Sequence, residues 1–191
     1  MRSPFFSSLG HSLGLMILGM LTLASTPGVA APEPQVIPLS QFYSVPRLIY
    51  TGTNRDWAQA YRPTYYFTLL FPPSEGAALG AVDLMQIEGL PIVLIPEETI
   101  AFRGTRKDPE EPLPATVESL RGDGQTGLRL HFNEPVLPGQ TLTLAVRARS
   151  NPYQDGIYQY ALVAYPQENL RDGYTLGIGR LNFYENTRFR F

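Results

Sequence analysis

The sequence predicts an all-β protein, an antiparallel β-sandwich of about seven to nine strands. Three observations carry this. Short stretches alternate apolar and polar residues with period two, most cleanly over 141–148, where Leu142, Leu144, Val146 and Ala148 face away from Thr141, Thr143, Ala145 and Arg147. Pro, Gly and Asx turn signals separate these stretches, as at Pro72-Pro73, Asp155-Gly156 and Asp172-Gly173. No run of about 10–15 residues shows helical periodicity, which disfavours a parallel α/β sheet.

The chain opens on a different kind of segment. Arg2 is a positive start, Leu13 to Ala24 (LGLMILGMLTLA) carries no charge, and Ser25 to Ala31 offers small residues to a signal peptidase. The apolar run is too short for a permanent membrane helix. Residues 1–30 therefore read as a signal peptide cut after Ala30, or after Ala31, which would leave Pro32 directly behind the cut. On this reading the protein works outside the cytoplasm, with no direct transmembrane anchor once the signal is removed. With no cysteine in the sequence, a lipid anchor on that residue, a disulfide scaffold and thiol chemistry are all excluded.

Residues 31–44, which contain PEPQVIP, read as an extended proline-rich leader, and residues 45–191 as one β-sandwich domain. A first short strand is expected at 45–51. Asn54 to Ala60 forms a loop or a single helical turn that carries Trp57. Tyr61 to Phe71 is apolar on both faces and reads as a central strand. Ala81 to Ile87 follows, then the short run Ile92 to Ile95 and a possible strand at Thr99 to Arg103. Residues 104–114 (GTRKDPEEPLP) read as an acidic surface loop with nothing to fill a core. Thr116 to Leu120 re-enters the sheet before a turn at Gly122-Asp123-Gly124. Leu128, Leu130 and Phe132 alternate with Arg129 and His131, and Asn133 to Gly139 is a turn. After the strand at 141–148, Ile157 to Tyr165 is again apolar on both faces. Tyr174 to Tyr184 is the last strand, where Gly177 and Gly179 indicate a bulge or a close backbone approach. Immunoglobulin-like and jelly-roll topologies both fit this series.

The pattern resembles a family of uncharacterised secreted proteins found mainly in cyanobacteria, the domain of unknown function DUF2808. The pieces that carry the resemblance are PRLIYTGTN at 46–54, TYYFTLLFP at 64–72, AFRGTR at 101–106, FNEPVLPGQTLTLAVRARSNPYQDGIYQYALVAYP at 132–166 and LGIGRLNFY at 176–184. The resemblance implies a signal peptide, an extracytoplasmic β domain and no assigned chemistry. In a cyanobacterial cell the compartment would be the periplasm or envelope, or the thylakoid lumen. Leu90 to Pro96 is more apolar than an exposed loop of such a family requires and is expected to pack against something.

Composition narrows the function. Fifteen basic and 17 acidic side chains leave a formal charge of −2, and the basic residues are scattered, so a nucleic acid is excluded as partner. His131 is the one histidine after the signal segment, too few for a histidine metal site or a serine–histidine pair with a choice of base. No Gly-x-Ser-x-Gly elbow exists. Glu97-Glu98 and Glu110-Glu111 read as solvated pairs, and GDGQTG lacks the oxygen ligands of a calcium loop. No enzyme, metal or cofactor is therefore expected. Aromatic side chains are abundant, and tyrosine and tryptophan suit protein interfaces and sugar platforms. Trp57, Tyr66, Tyr158 and Tyr160 are the candidate binding residues. The expected function is a non-catalytic interaction or structural module that meets an envelope or lumenal protein, with carbohydrate binding as the alternative. An exposed aromatic row beside Asp, Asn or Gln groups would favour a glycan.

Overall fold

The computed structural model describes residues 40–122 and 125–185. The expected signal peptide, most of the proline-rich leader and the turn residues Asp123-Gly124 lie outside the described residues. Among the described residues ten strands form two five-stranded antiparallel sheets packed face to face. In chain order the strands are β1 (Arg47–Thr53), β2 (Thr64–Leu70), β3 (Leu79–Glu88), β4 (Ile100–Gly104), β5 (Pro109–Leu113), β6 (Ala115–Gly122), β7 (Gln125–Val136), β8 (Thr141–Arg147), β9 (Gly156–Pro166) and β10 (Tyr174–Phe183). The first sheet runs β1-β2-β8-β4-β5 and the second β10-β9-β3-β7-β6. The architecture is the sandwich predicted, with one strand more than the upper expectation.

The additional strand is β5. Residues 109–113 (PEEPL) have little β propensity, yet they pair with β4 and place Leu113 opposite Ala101, buried in the core. The expectation that 104–114 is wholly a surface loop is thus corrected. A tight turn delivers the segment to an existing edge, and that edge supplies the pairing its own sequence does not favour. Pro114 alone separates β5 from β6, so the chain changes sheets there in one step. A second correction concerns Asn133 to Gly139. The ladder of β7 continues to Val136, which pairs with Leu79 and is fully buried, so the turn is confined to the residues that follow. Ile92 to Ile95 forms no strand. Leu94 makes an isolated bridge to Ala148, and Ile92 is buried. The Gln86 amide secures this run, accepting from Ile92 N (2.9 Å) and donating to Leu90 O (2.7 Å).

The core lies between the sheets. β2 contributes Tyr65, Phe67 and Leu69, and β8 contributes Leu142, Leu144 and Val146. They meet Leu84, Leu128, Leu130, Leu162 and Phe183 of the second sheet. Core packing begins upstream of residue 45, because Phe42 is buried with its ring 5.6 Å from Phe71 and 5.1 Å from Tyr174. The glycines of β10 behave as their spacing foretells. The register slips between Thr175 and Gly177, where Gly177 takes φ +136°, and a Cβ on Gly179 would stand 2.8 Å from the Phe67 ring.

Tyr158 and Tyr160, expected as surface binding residues, are core residues. Their rings pack on Phe183 (5.2 Å) and Phe67 (5.6 Å), with relative exposures of 3% and 0%. On β9 they occupy the face with Leu162 and Ala164, so period-two alternation turns them inward. The Tyr160 hydroxyl finds no hydrogen-bond partner. Tyr160→Phe is therefore expected to raise stability by about 1 kcal/mol, a Tm gain of roughly 2–4 °C in a domain of this size. Burial also pushes the hydroxyls of Tyr65, Tyr158 and Tyr160 above the ordinary value of 10.0. Each proton is then held more tightly in the folded state, so this stability is complete below pH about 10 and is lost as pH rises beyond it. Urea unfolding on either side of pH about 10 should show that loss, with a smaller drop in Tyr160→Phe. A destabilised Tyr160→Phe would contradict this account.

Candidate functional site

One end of the sandwich gathers the connections 54–63, 89–95 and 148–155 with the residues after β10. The 54–63 loop is tied on both sides by backbone bonds. Ala58 N donates to Tyr184 O (2.8 Å) and Tyr184 N to Asp56 O (2.8 Å), while Gln59 N donates to Pro152 O (2.9 Å) and Asn151 N to Ala60 O (2.9 Å). Gln59 and Arg62 hold φ of 62° and 50°, a left-handed conformation that non-glycine residues rarely adopt. Backbone bonds hold both residues, from Gln59 N to Pro152 O and from Arg62 N to Arg149 O (3.0 Å). Asn151, 3% exposed, donates from Nδ2 to Trp57 O (2.7 Å) and Arg55 O (2.9 Å), and its Oδ1 accepts from the Tyr65 hydroxyl (2.9 Å). One core amide therefore couples the loop to the base of the sandwich.

The loop's position is also set by charge. Arg62 pairs with Glu98, which sits on a 3-10 turn at Pro96–Glu98, and Arg147 Nε lies 3.5 Å from the same carboxylate. Hydrogen bonding to Glu98 raises the Arg62 pKa above its ordinary value. Glu98 is thus a positioning group between two arginines rather than the solvated member of an acidic pair.

This scaffold presents aromatic rings to solvent. Trp57, Tyr61, Tyr153 and Tyr184 are all exposed, Tyr61 and Tyr153 by about two thirds (67% and 66%). Trp57, Tyr61 and Tyr153 line a cleft of about 680 Å³ together with Gln59, Gln154, Asp155 and Glu185. Gln59 and Tyr153 also border a neighbouring hollow of about 380 Å³ that continues over Pro91, Val93 and Arg149. Among the described residues no group of three or more His, Cys, Asp or Glu is placed to hold a metal ion. His131 lies half-buried on β7, opposite Ala81 and Thr116.

Of the four residues expected to bind, the structure places Trp57 at this end. Tyr66 is elsewhere, half-buried on the outer face of the first sheet with the Arg106 guanidinium 4.6 Å from its ring. Tyr158 and Tyr160 belong to the core. Tyr61, Tyr153 and Tyr184 were not among the four. A signal for the first two exists in the sequence, because Tyr61 stands two residues before Pro63 and Tyr153 directly after Pro152. An aromatic residue in a proline-bounded connection has no sheet face to fill.

No helix among the described residues is long and apolar enough to cross a membrane. Several solved structures resemble the fold at low identity. An uncharacterized protein from Nocardia farcinica with an immunoglobulin-like fold matches with a TM-score of 0.46 and 16% identity, over 70% of this chain and 96% of the other. The collagen-binding subdomain of the Enterococcus faecalis surface protein ACE matches at 0.40 and 8% identity, over 70% and 94%. AvmM, which catalyzes macrocyclization in Alchivemycin A biosynthesis, also matches at 0.40 and 8% identity, over 81% and 94%. A binder and a catalyst stand at the same score, so this likeness assigns no activity. No curated protein matches the sequence. A family model does match, over residues 39–183 and hence over nearly the whole sandwich, and the chain belongs to that family, the proteins of unknown function DUF2808.

Proposed function

We propose that the domain is a non-catalytic extracytoplasmic interaction module that docks another envelope or lumenal protein through the aromatic end of the sandwich. The observation that carries this reading is the group Trp57, Tyr61, Tyr153 and Tyr184, exposed on loops that a buried amide holds in place. Tryptophan and tyrosine are the side chains most often found at the energetic centre of protein interfaces. Ordering the loop before contact lowers the entropy lost on binding. The export signal read from residues 1–30 supplies the compartment.

The test is a co-purification of the full chain, tagged at its C-terminus, from source cells in mild detergent. A stoichiometric protein partner is expected, with recovery cut at least tenfold in Trp57→Ala and Tyr153→Ala at unchanged Tm. A wild-type protein that elutes alone would overturn the docking proposal. A second reading has its own support, since Gln59, Gln154 and Asp155 stand beside the rings in the same cleft and suit sugar hydroxyls. Binding of an envelope polysaccharide that is abolished in Trp57→Ala, with no protein partner, would establish it instead.

A further inference from the structure

The outer face of the first sheet carries a second, separate hollow. Tyr50, Thr68, Thr143 and Phe102 lie in register across β1, β2, β8 and β4, and the next row is Gly52, Tyr66, Ala145 and Ile100. In the first row Tyr50 and Phe102 flank the smaller Thr68 and Thr143, which leaves a dip in the face, whereas in the second row Tyr66 of β2 stands between Gly52 and Ala145. The β4–β5 hairpin folds over this face. Thr105 and Asp108 close the turn with reciprocal backbone bonds of 3.0 and 3.2 Å. Gly104 permits the reversal at φ +83°, where a Cβ would stand 2.4 Å from Asp108 O. Thr143 Oγ1 then donates to Gly104 O at 2.8 Å and fastens the hairpin to the sheet.

Arg106 extends from that hairpin across β8 and β2 to β1. Its Nη1 donates to Thr53 O (3.0 Å) and the Tyr50 hydroxyl (3.2 Å) while its guanidinium stacks 4.6 Å from the Tyr66 ring. The hollow beside it, about 510 Å³, is lined by Ile49, Tyr50, Thr68, Thr105, Arg106 and Lys107. That is within the range of small-ligand sites, roughly 300–1,000 Å³. Among the described residues the lining holds two cations and no acid. Asp108 and Glu110 follow in the hairpin without lining the hollow. Among the described residues all of Arg106's hydrogen bonds leave from Nη1, so Nε–H and Nη2–H keep their donors, and Lys107, the chain's one lysine, makes no ion pair there.

We propose that this hollow binds an acidic sugar, with Arg106 and Lys107 receiving the negative charge and the exposed Tyr50 and Thr105 meeting the ring. A guanidinium held by stacking is a fork already oriented for a carboxylate or sulfate. Tyrosine faces and threonine hydroxyls serve the apolar and hydroxylated surfaces of a pyranose. An acidic peptide satisfies the charge alone.

Calorimetric titration of the purified domain tests this with four probes: oligogalacturonate, a sulfated galactan fragment, a neutral galactan fragment and polyglutamate. One or both acidic sugars are expected to bind saturably, the tighter one identifying carboxylate or sulfate as the charge recognised. Raising salt should weaken binding. Arg106→Gln should weaken it at least tenfold and Lys107→Gln severalfold. If Arg106→Gln lowers Tm, Lys107→Gln remains the test, because it breaks no bond within the protein. Trp57→Ala should leave this binding unchanged, so failure here is distinguishable from failure of the docking surface. No saturable binding of either acidic sugar, equal binding of the neutral fragment, tighter binding of polyglutamate, or full affinity in both charge variants would overturn the proposal.

Discussion

Asn151→Ala is expected to destabilise the domain by about 3 kcal/mol and to release the loop that carries Trp57. The amide makes three hydrogen bonds, to Tyr65 Oη, Arg55 O and Trp57 O. Alanine leaves all three partners in place without a counterpart, and a buried group so abandoned costs about 1–3 kcal/mol. The Tyr65 hydroxyl lies under the core, where water cannot replace the amide, whereas the two carbonyls stand nearer the surface and recover part of their loss. A Tm fall of roughly 6–12 °C follows for a domain of this length. Asn151→Asp separates the roles, since it keeps the acceptor for Tyr65 but turns an oxygen toward two carbonyls. It should destabilise the domain through the loop carbonyls, and Tyr65→Phe, which removes one of the three bonds, should cost less than Asn151→Ala. Thermal unfolding gives the stability, and hydrogen exchange at residues 55–61 reads the loop. An Asn151→Ala protein with wild-type Tm and loop protection would refute the coupling.

Arg129→Leu is expected to cost about 2–4 kcal/mol, toward the lower end. On the outer face of the second sheet Arg129 grips Asp83 with two bonds of 2.5 Å, from Nε and Nη2. Asp83 sits on a central strand and is 7% exposed, and the Tyr165 hydroxyl donates to the same carboxylate at 2.9 Å. Hydrogen bonding to the Asp83 carboxylate raises the Arg129 pKa, against the opposing effect of burial. Removing the cation strands a charge that has left water. The range is discounted because the Arg129 side chain keeps 27% exposure. Replacing both partners, in Asp83→Leu/Arg129→Leu, should cost less than Arg129→Leu alone, because no uncompensated charge remains. A urea-unfolding double-mutant cycle measures the coupling. Additive losses would show that the pair contributes nothing beyond its two side chains.

The sequence shows Arg129 beside His131 on a wet strand face, but not its partner. Asp83 stands 46 residues earlier in the chain, and their opposition depends on β3 pairing with β7 in one register. The same limit applies to the aromatic end. Trp57 is legible as a loop residue, yet its neighbours Tyr153 and Tyr184 come from connections more than ninety residues away. Tyr66 and Tyr160 look alike in sequence, each an aromatic within an apolar strand. Burial separates them, because both faces of β9 and β2 are apolar enough that alternation does not say which is inward.

What the sequence determined by itself is local. Period-two alternation and turn residues specify where most strands begin and end, and Gly177 and Gly179 mark where β10 must bulge and approach its neighbour. These follow from backbone sterics and side-chain direction within a few residues. Tertiary structure decided the rest. It paired residues 109–113 with β4 although their composition argues against a strand, gathered four aromatic side chains at one end, and laid Arg106 across the first sheet. Each of these depends on strand order and register, which arise from long-range packing of the two sheets rather than from any segment's own preference.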